Sequence, residues 1–232
     1  MPKIPLSFSR LSCFEQCGTK FEHLYVNKTV KDQDNVYTIH GNRVHEGLEL
    51  YGKARRDGTA DALDTLSDGT IFAESRKYFP IVDAILRRPG DVYFEHQMAI
   101  RADRTPCDWF AEDVWLRGIA DILLINGTKA FIGDHKTGKI KDNPLQLKLF
   151  ACMVMALFPG VNEVQTAFIW LAHDEITDQK FTRSQLPDLW AALQPRLDAV
   201  QDAVDLGVFV SKPSGLCNYC PAKGICPDRR KW

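Results

Sequence analysis

Asp121, Asp134 and Lys136 are the residues whose types and spacing most directly suggest chemistry in this sequence. Asp121 lies in Gly118-Ile-Ala-Asp121-Ile-Leu-Leu-Ile125, and the other two lie in Ala130-Phe-Ile-Gly-Asp134-His-Lys136. Aspartate is depleted in strands, so two of them inside runs this apolar need a reason. Between the runs stands Asn126-Gly127, the strongest short signal for a hairpin. A two-residue turn there pairs Ile125 with Thr128, and hence Asp121 with Ile132 and Ile119 with Asp134. In that register the two aspartates are diagonal neighbours on one sheet face, about 7–8 Å apart at the backbone. Lys136 follows two residues later on the same face. Carboxylates so spaced can aim at one hard divalent cation, which polarises a phosphate and lowers the pKa of a bound water. The lysine can orient that water or offset charge on the phosphoryl oxygens. The plainer reading of the same residues is two solvated strand acids with Lys136 as their ion-pair partner.

These residues need elements to hold them. Val92 to Arg101 alternates as a strand, with Phe94, His96, Met98 and Ile100 on one face and Tyr93, Glu95 and Gln97 on the other. Glu95 thereby becomes a candidate substrate-side carboxylate or an exposed strand residue. Val114 to Ile125 and Thr128 to Lys136 form the hairpin. Val44, Leu48 and Tyr51 recur at helical spacing between His40 and Arg56, which sets His45 on or beside the buried stripe. Asn143-Pro144 starts a helix that runs to Phe158, before Pro159-Gly160. Further helices are expected from near Ser9, across Ile71 to Arg88, and across Ser184 to Val204 with a kink or break at Pro195. Val164 to Ala172 reads as another strand. The elements predict one α/β domain over residues 1–232.

The chain has 232 residues, 45% of them apolar and 25% charged, with a formal net charge of −1. That balance excludes bulk electrostatic binding to nucleic acid, so any such contact must use local basic clusters. The candidates nearest Lys136 are Lys139, Lys141 and Lys148; Arg55-Arg56, Arg87-Arg88 and Arg229-Arg230-Lys231 read as solvated groups. No run is apolar enough to span a bilayer, and the first residues do not read as a secretory signal, so a cytoplasmic, membrane-free protein is expected. No G-x-x-x-x-G-K-[ST] motor sequence occurs. Seven cysteines in a reducing compartment favour metal binding or burial over disulfides. Cys217, Cys220 and Cys226 fall within ten residues of an irregular tail, and three such ligands call for a fourth. Spacing alone leaves zinc and an iron–sulphur cluster open.

Read in order, Gly41-Asn-Arg-Val-His45, Gly118-Ile-Ala-Asp121, Asp134-His-Lys136-Thr-Gly138 and Gln146-Leu-Lys-Leu-Phe150 resemble the motifs of RecB-like PD-(D/E)XK nucleases. The resemblance covers nearly the whole chain and implies a restriction-endonuclease-like core, a mixed sheet flanked by helices. It implies that His45, Asp121, Asp134 and the backbone carbonyl of His135 bind a catalytic magnesium or manganese ion. It further implies that Lys136 is the catalytic lysine and that Gln146 positions DNA or the metal site. Imidazole shifts the preference toward manganese. Phe150 stands where the family has tyrosine. The tail is similar to that of the iron–sulphur nucleases, namely the CRISPR-associated exonucleases (the fourth Cas family) and AddB-type nuclease domains. That likeness implies a [4Fe–4S] cluster on Cys17, Cys217, Cys220 and Cys226, held by segments 9–21 and 215–227. Structural zinc is the competitor, and Cys13 is the runner-up ligand; Cys17 is followed by glycine where the family commonly has proline. The activity implied is exonucleolytic hydrolysis of single-stranded DNA, with recombination, repair or CRISPR-adaptation partners. The alternative is a non-catalytic DNA-binding adaptor.

Overall fold

The computed structural model describes residues 4–59, 69–141 and 143–229, so Arg230 and Lys231 of the last basic group lie outside the described residues. Five strands form one mixed sheet in the order β1-β2-β3-β4-β5: β1 (Asp91–Ile100), β2 (Leu116–Asn126), β3 (Lys129–Lys136), β4 (Glu163–Trp170) and β5 (Glu175–Thr182). β1, β2 and β3 are antiparallel neighbours, β3 and β4 are parallel, and β4 and β5 are antiparallel. The parallel pair requires a crossover, which α6 (Pro144–Leu157) supplies with Pro144 in its first turn. Thus the α/β, restriction-endonuclease-like architecture read from the sequence is the one adopted.

The hairpin forms with a different turn. Asn126 pairs with Lys129, which makes Gly127 and Thr128 the turn residues, and Gly127 has φ +57° while Thr128 is not in the left-handed region. That is the arrangement in which glycine takes the first central position of a II′ turn. The pairing therefore runs Ile122↔Gly133 and Leu123↔Ile132, two residues out of the predicted register. Continued by one step, the ladder sets Asp121 opposite Asp134 instead of Ile132.

Helices cover both faces of the sheet. One core joins α1 (Phe8–Gln16), α6 and α7 (Leu186–Leu206) to Met98, Ile100, Leu123 and Ile132. The other joins α3 (Val36–Arg56) and α5 (Phe79–Leu86) to Phe94, Ile122, Leu124 and Ile169. Phe94 and Met98 belong to different cores, so the single-face alternation expected of β1 breaks between them. The break falls at Glu95, whose φ is +49°. The single helix expected over Ile71–Arg88 is divided into α4 (Gly69–Ser75), a 3-10 turn at Arg76–Tyr78 and α5, because Pro80 has no N–H for the preceding turn. Pro195, by contrast, sits inside an unbroken α7. β5 is not predicted by the sequence reading: it is an edge strand of mostly exposed polar residues, and Phe181 is its only fully buried residue, too little to impose a period.

Gly52 fixes how close α3 comes to the sheet, since a Cβ there would lie 2.3 Å from the Phe94 ring. Gly52→Ala should destabilise the protein by about 1–2 kcal/mol, because overpacking exceeds alanine's helix advantage of about 1 kcal/mol. Chemical denaturation should show this, and Phe94→Leu should couple favourably to it in a double-mutant cycle.

Candidate active site and thiol pocket

β3 stays paired with β4 as far as Lys136↔Trp170, but its last recorded pair with β2 is Ile122↔Gly133. The two strands therefore part at Asp121 and Asp134, and side-chain chemistry takes over from the ladder. The N–H of His135 donates to Oδ2 of Asp121 at 2.5 Å. That same oxygen lies 3.4 Å from Nδ1 of His45 and 3.7 Å from Nδ1 of His135. Glu95, opposite Asp121 in the register of β1 and β2, joins them: His45, Glu95 and Asp121 each present a ligand atom, all within 4.8 Å of one another. An imidazole and two carboxylates are a donor set that fits a divalent cation such as manganese or magnesium.

Asp134 and Lys136 face α6 instead. Nζ of Lys136 is 2.5 Å from Oδ2 of Asp134 and donates to Oε1 of Gln146 at 3.3 Å. Nε2 of Gln146 donates to Oδ1 of Asp134 at 2.7 Å, which closes a buried triangle. The two aspartates are thus not the same-face diagonal pair expected from the sequence. The two-residue change of register makes them directly opposed instead of diagonal; they turn to different partners because alternation on β2 lapses at Asp121, with Ala120 in one core and Ile122 in the other.

The charges interact across the fork. Burial by itself would lower the pKa of His45, but its bond to Asp121 and the charges of Asp121, Asp134 and Glu95 raise it to about 9. Burial raises Glu95 to about 7, with Asp121 adding to the effect. Burial likewise raises Asp134 to about 6, with Asp121 reinforcing and Lys136 opposing. For Asp121, burial is outweighed by its histidine partners and the pKa falls. His135 is enclosed, so desolvation drops it to about 4 and it is a neutral ring; its Nε2 has no hydrogen-bond partner among the described residues.

Of the lysines expected to meet phosphate, Lys139 and Lys141 line a hollow together with Lys136 and Gln146. Lys148 is on α6 and is not among the residues lining it. Glu95 is the residue that the sequence reading left undecided. The signal lay in the register, which sets it across from Asp121. Phe150 is buried against Gly118.

Apart from this site, Cys17, Cys217, Cys220 and Cys226 line one small hollow. The chain ends meet because the Gly18 N–H donates to the Val210 carbonyl at 3.0 Å, and Oγ1 of Thr19 lies 2.8 Å from Oγ of Ser211. A Cβ on Gly18 would lie 2.8 Å from Val210 backbone atoms. Proline would both clash and remove the donor, which accounts for glycine after Cys17. Ser214 caps the turn that carries Cys217, and its N–H lies 3.3 Å from that sulphur. Cys13 and Cys152 are core residues whose thiols burial pushes up to about 11 and about 12.

No curated protein matches the chain in sequence. Among solved structures, a protein described as "Putative exonuclease" from Eubacterium rectale aligns with a TM-score of 0.53 at 13% identity, over 99% of this chain and 91% of that one. SSO0001 aligns with a TM-score of 0.39 at 14% identity, over 96% and 94%. The first likeness is one of fold. Among the described residues no helix is long and apolar enough to cross a membrane. Residues 5–227 match the family described as the PD-(D/E)XK nuclease superfamily, and the chain, with acids and a lysine gathered where its central strands part, belongs to that superfamily.

Proposed function

We propose that the protein is a metal-dependent DNA nuclease of the RecB-like kind, an exonuclease acting on single strands, with a [4Fe–4S] cluster joining its chain ends. The observation that carries the reading is the convergence of His45, Glu95 and Asp121 on the point where Asp134 and Lys136 enter from the other side. His45, Asp121, Asp134 and the His135 carbonyl would hold a manganese or magnesium ion, and Glu95 joins that set. When bound, such an ion supplies Lewis acidity and lowers the pKa of water.

The chain's own groups prepare the rest. Gln146 holds Asp134 in one orientation through its amide N–H and accepts from Lys136 through its amide oxygen. The ammonium is thereby aimed, and its remaining hydrogens are available to a phosphoryl oxygen or to a water. Asp121, tied to the His135 N–H, cannot swing away from His45. Lys139 and Lys141 border the same hollow and suit the phosphates on either side of the bond that breaks. For the cluster, support comes from four cysteines around one cavity, whose thiolates match all-cysteine ligation.

Asp134→Ala and Lys136→Ala should each lower manganese-dependent degradation of end-labelled single strands by on the order of 10²-fold or more; unchanged cleavage would sink the reading. An exonuclease should also leave closed circles intact, whereas discrete fragments from a plasmid would mark an endonuclease.

The pH dependence has a definite sign. In chelator, His45 holds a proton that its unfolded counterpart releases near pH 6.5. The stability this contributes is therefore complete below about pH 6.5 and disappears as pH rises through about 9. Thermal melts of the metal-free protein should fall across that window. Manganese should reverse the fall, and calorimetry in two buffers at pH 8 should detect the proton released on binding.

Purified without oxygen, the protein should be brown and contain iron and acid-labile sulphide. Both should be lost in Cys217→Ala and kept in Cys107→Ala. A colourless protein with one zinc would replace the cluster by a structural zinc site.

A further inference from the structure

A groove of about 630 Å³ opens beside Lys136 and Gln146, between the N-terminal segment, the start of β2 and α6. Its cations are Arg10, Arg117 and Lys136, and among the described residues no acidic one lines it. The cleft on the α3 side, of about 740 Å³, is lined by Glu46, Glu49 and Glu95 beside His45, and among the described residues by no lysine or arginine, though Lys53 pairs with Glu49. A polyanion arriving at the fork therefore finds its fixed positive charge on the groove side.

The basic groove is also aromatic. The Arg117 guanidinium lies 5.1 Å from the centroid of Trp109 and 5.8 Å from that of Phe110. Arg10 lies 5.2 Å from the centroid of Tyr25. Phe110, which follows the groove residue Trp109, is 84% exposed, so its ring face is open to a stacking partner. Nε of Arg117 is buried without a hydrogen-bond partner among the described residues. Aromatic faces interleaved with guanidinium groups are what an unpaired strand needs, since each base offers a flat face to stack and each linkage a phosphate. A duplex keeps its bases stacked on one another and has none to offer.

We propose that Trp109 and Phe110 form a stacking shelf for one or two unpaired bases next to the bond that is cut, with Arg117 and Arg10 on the adjoining phosphates. The placement beside the cut rests on the phosphodiesterase reading above; the shelf itself does not. The shelf selects a single strand.

The test uses the full chain in chelator, where nothing is cleaved, and fluorescence anisotropy with labelled oligothymidylate and a blunt duplex of equal length. Phe110→Ala and Trp109→Ala should weaken single-strand binding about 5- to 100-fold and leave duplex binding and the thermal midpoint unchanged. Oligothymidylate should quench tryptophan emission of the wild type, and Trp109→Phe should abolish the quench while retaining affinity. Wild-type single-strand affinity in both alanine variants, or an equal loss for duplex, overturns the proposal. Cleavage is scored separately with manganese: a wild type that binds through Phe110 but cuts nothing removes the phosphodiesterase reading and leaves the shelf standing. Cleavage with a Phe110→Ala protein that binds normally does the reverse.

Discussion

Three carboxyl groups, those of Glu95, Asp121 and Asp134, are crowded where β2 and β3 separate, and the rest of the site answers their mutual repulsion. Carboxylates removed from water stay charged only when opposite charge or hydrogen-bond donors are at hand. Here the answer comes in parts: His45 and the His135 N–H at Asp121, Lys136 and Gln146 at Asp134. Glu95 has the least of this support, and burial with Asp121 nearby raises its pKa. A protein built for stability alone has little reason to assemble such a group; one that must seize a small, highly charged ion does.

The sheet makes the crowding tolerable by coming apart at that point. A continuous ladder would commit the His135 N–H to a main-chain carbonyl; the fork frees it for a carboxylate. Pairing of β3 with β4 persists past the fork, so the strand carrying Asp134 and Lys136 is still anchored along one edge. Packing on both faces does the remainder. α3 brings His45 from one side and α6 brings Gln146 from the other, each fixed by its own apolar core. Close approach at Gly133, where a Cβ would lie 2.8 Å from Ile122 and 2.9 Å from Ile169, keeps β2, β3 and β4 tight just before the strands diverge.

Much of this was legible in the residues. Long stretches with strong periodicity, such as the helix carrying His45 and the two apolar runs about Asn126-Gly127, declare themselves through burial. So does the helix begun by Pro144. The register did not, because Asn-Gly and Gly-Thr are both competent two-residue turns, and the choice between them shifts every cross-strand pair by two positions. Glu95 was ambiguous for a related reason: its left-handed backbone breaks the alternation from which its direction would be inferred. β5 left no trace because its side chains face water on an edge. The stacking shelf lies in the loop between β1 and β2, where no period exists to read, and its arginine and aromatic residues are far apart in sequence from Arg10 and Tyr25.

The meeting of Gly18 with Val210 has a consequence for biosynthesis. Cys17 emerges from the ribosome about two hundred residues ahead of Cys217, which at 5–20 residues per second is roughly 10–40 s. Throughout that interval the first thiol has no companion, and the hollow it belongs to does not exist. Any metal cofactor of that hollow can gain its full set of four thiols only once Cys226 has emerged, so a product cut short before Cys217 would keep the first thiol and none of the other three.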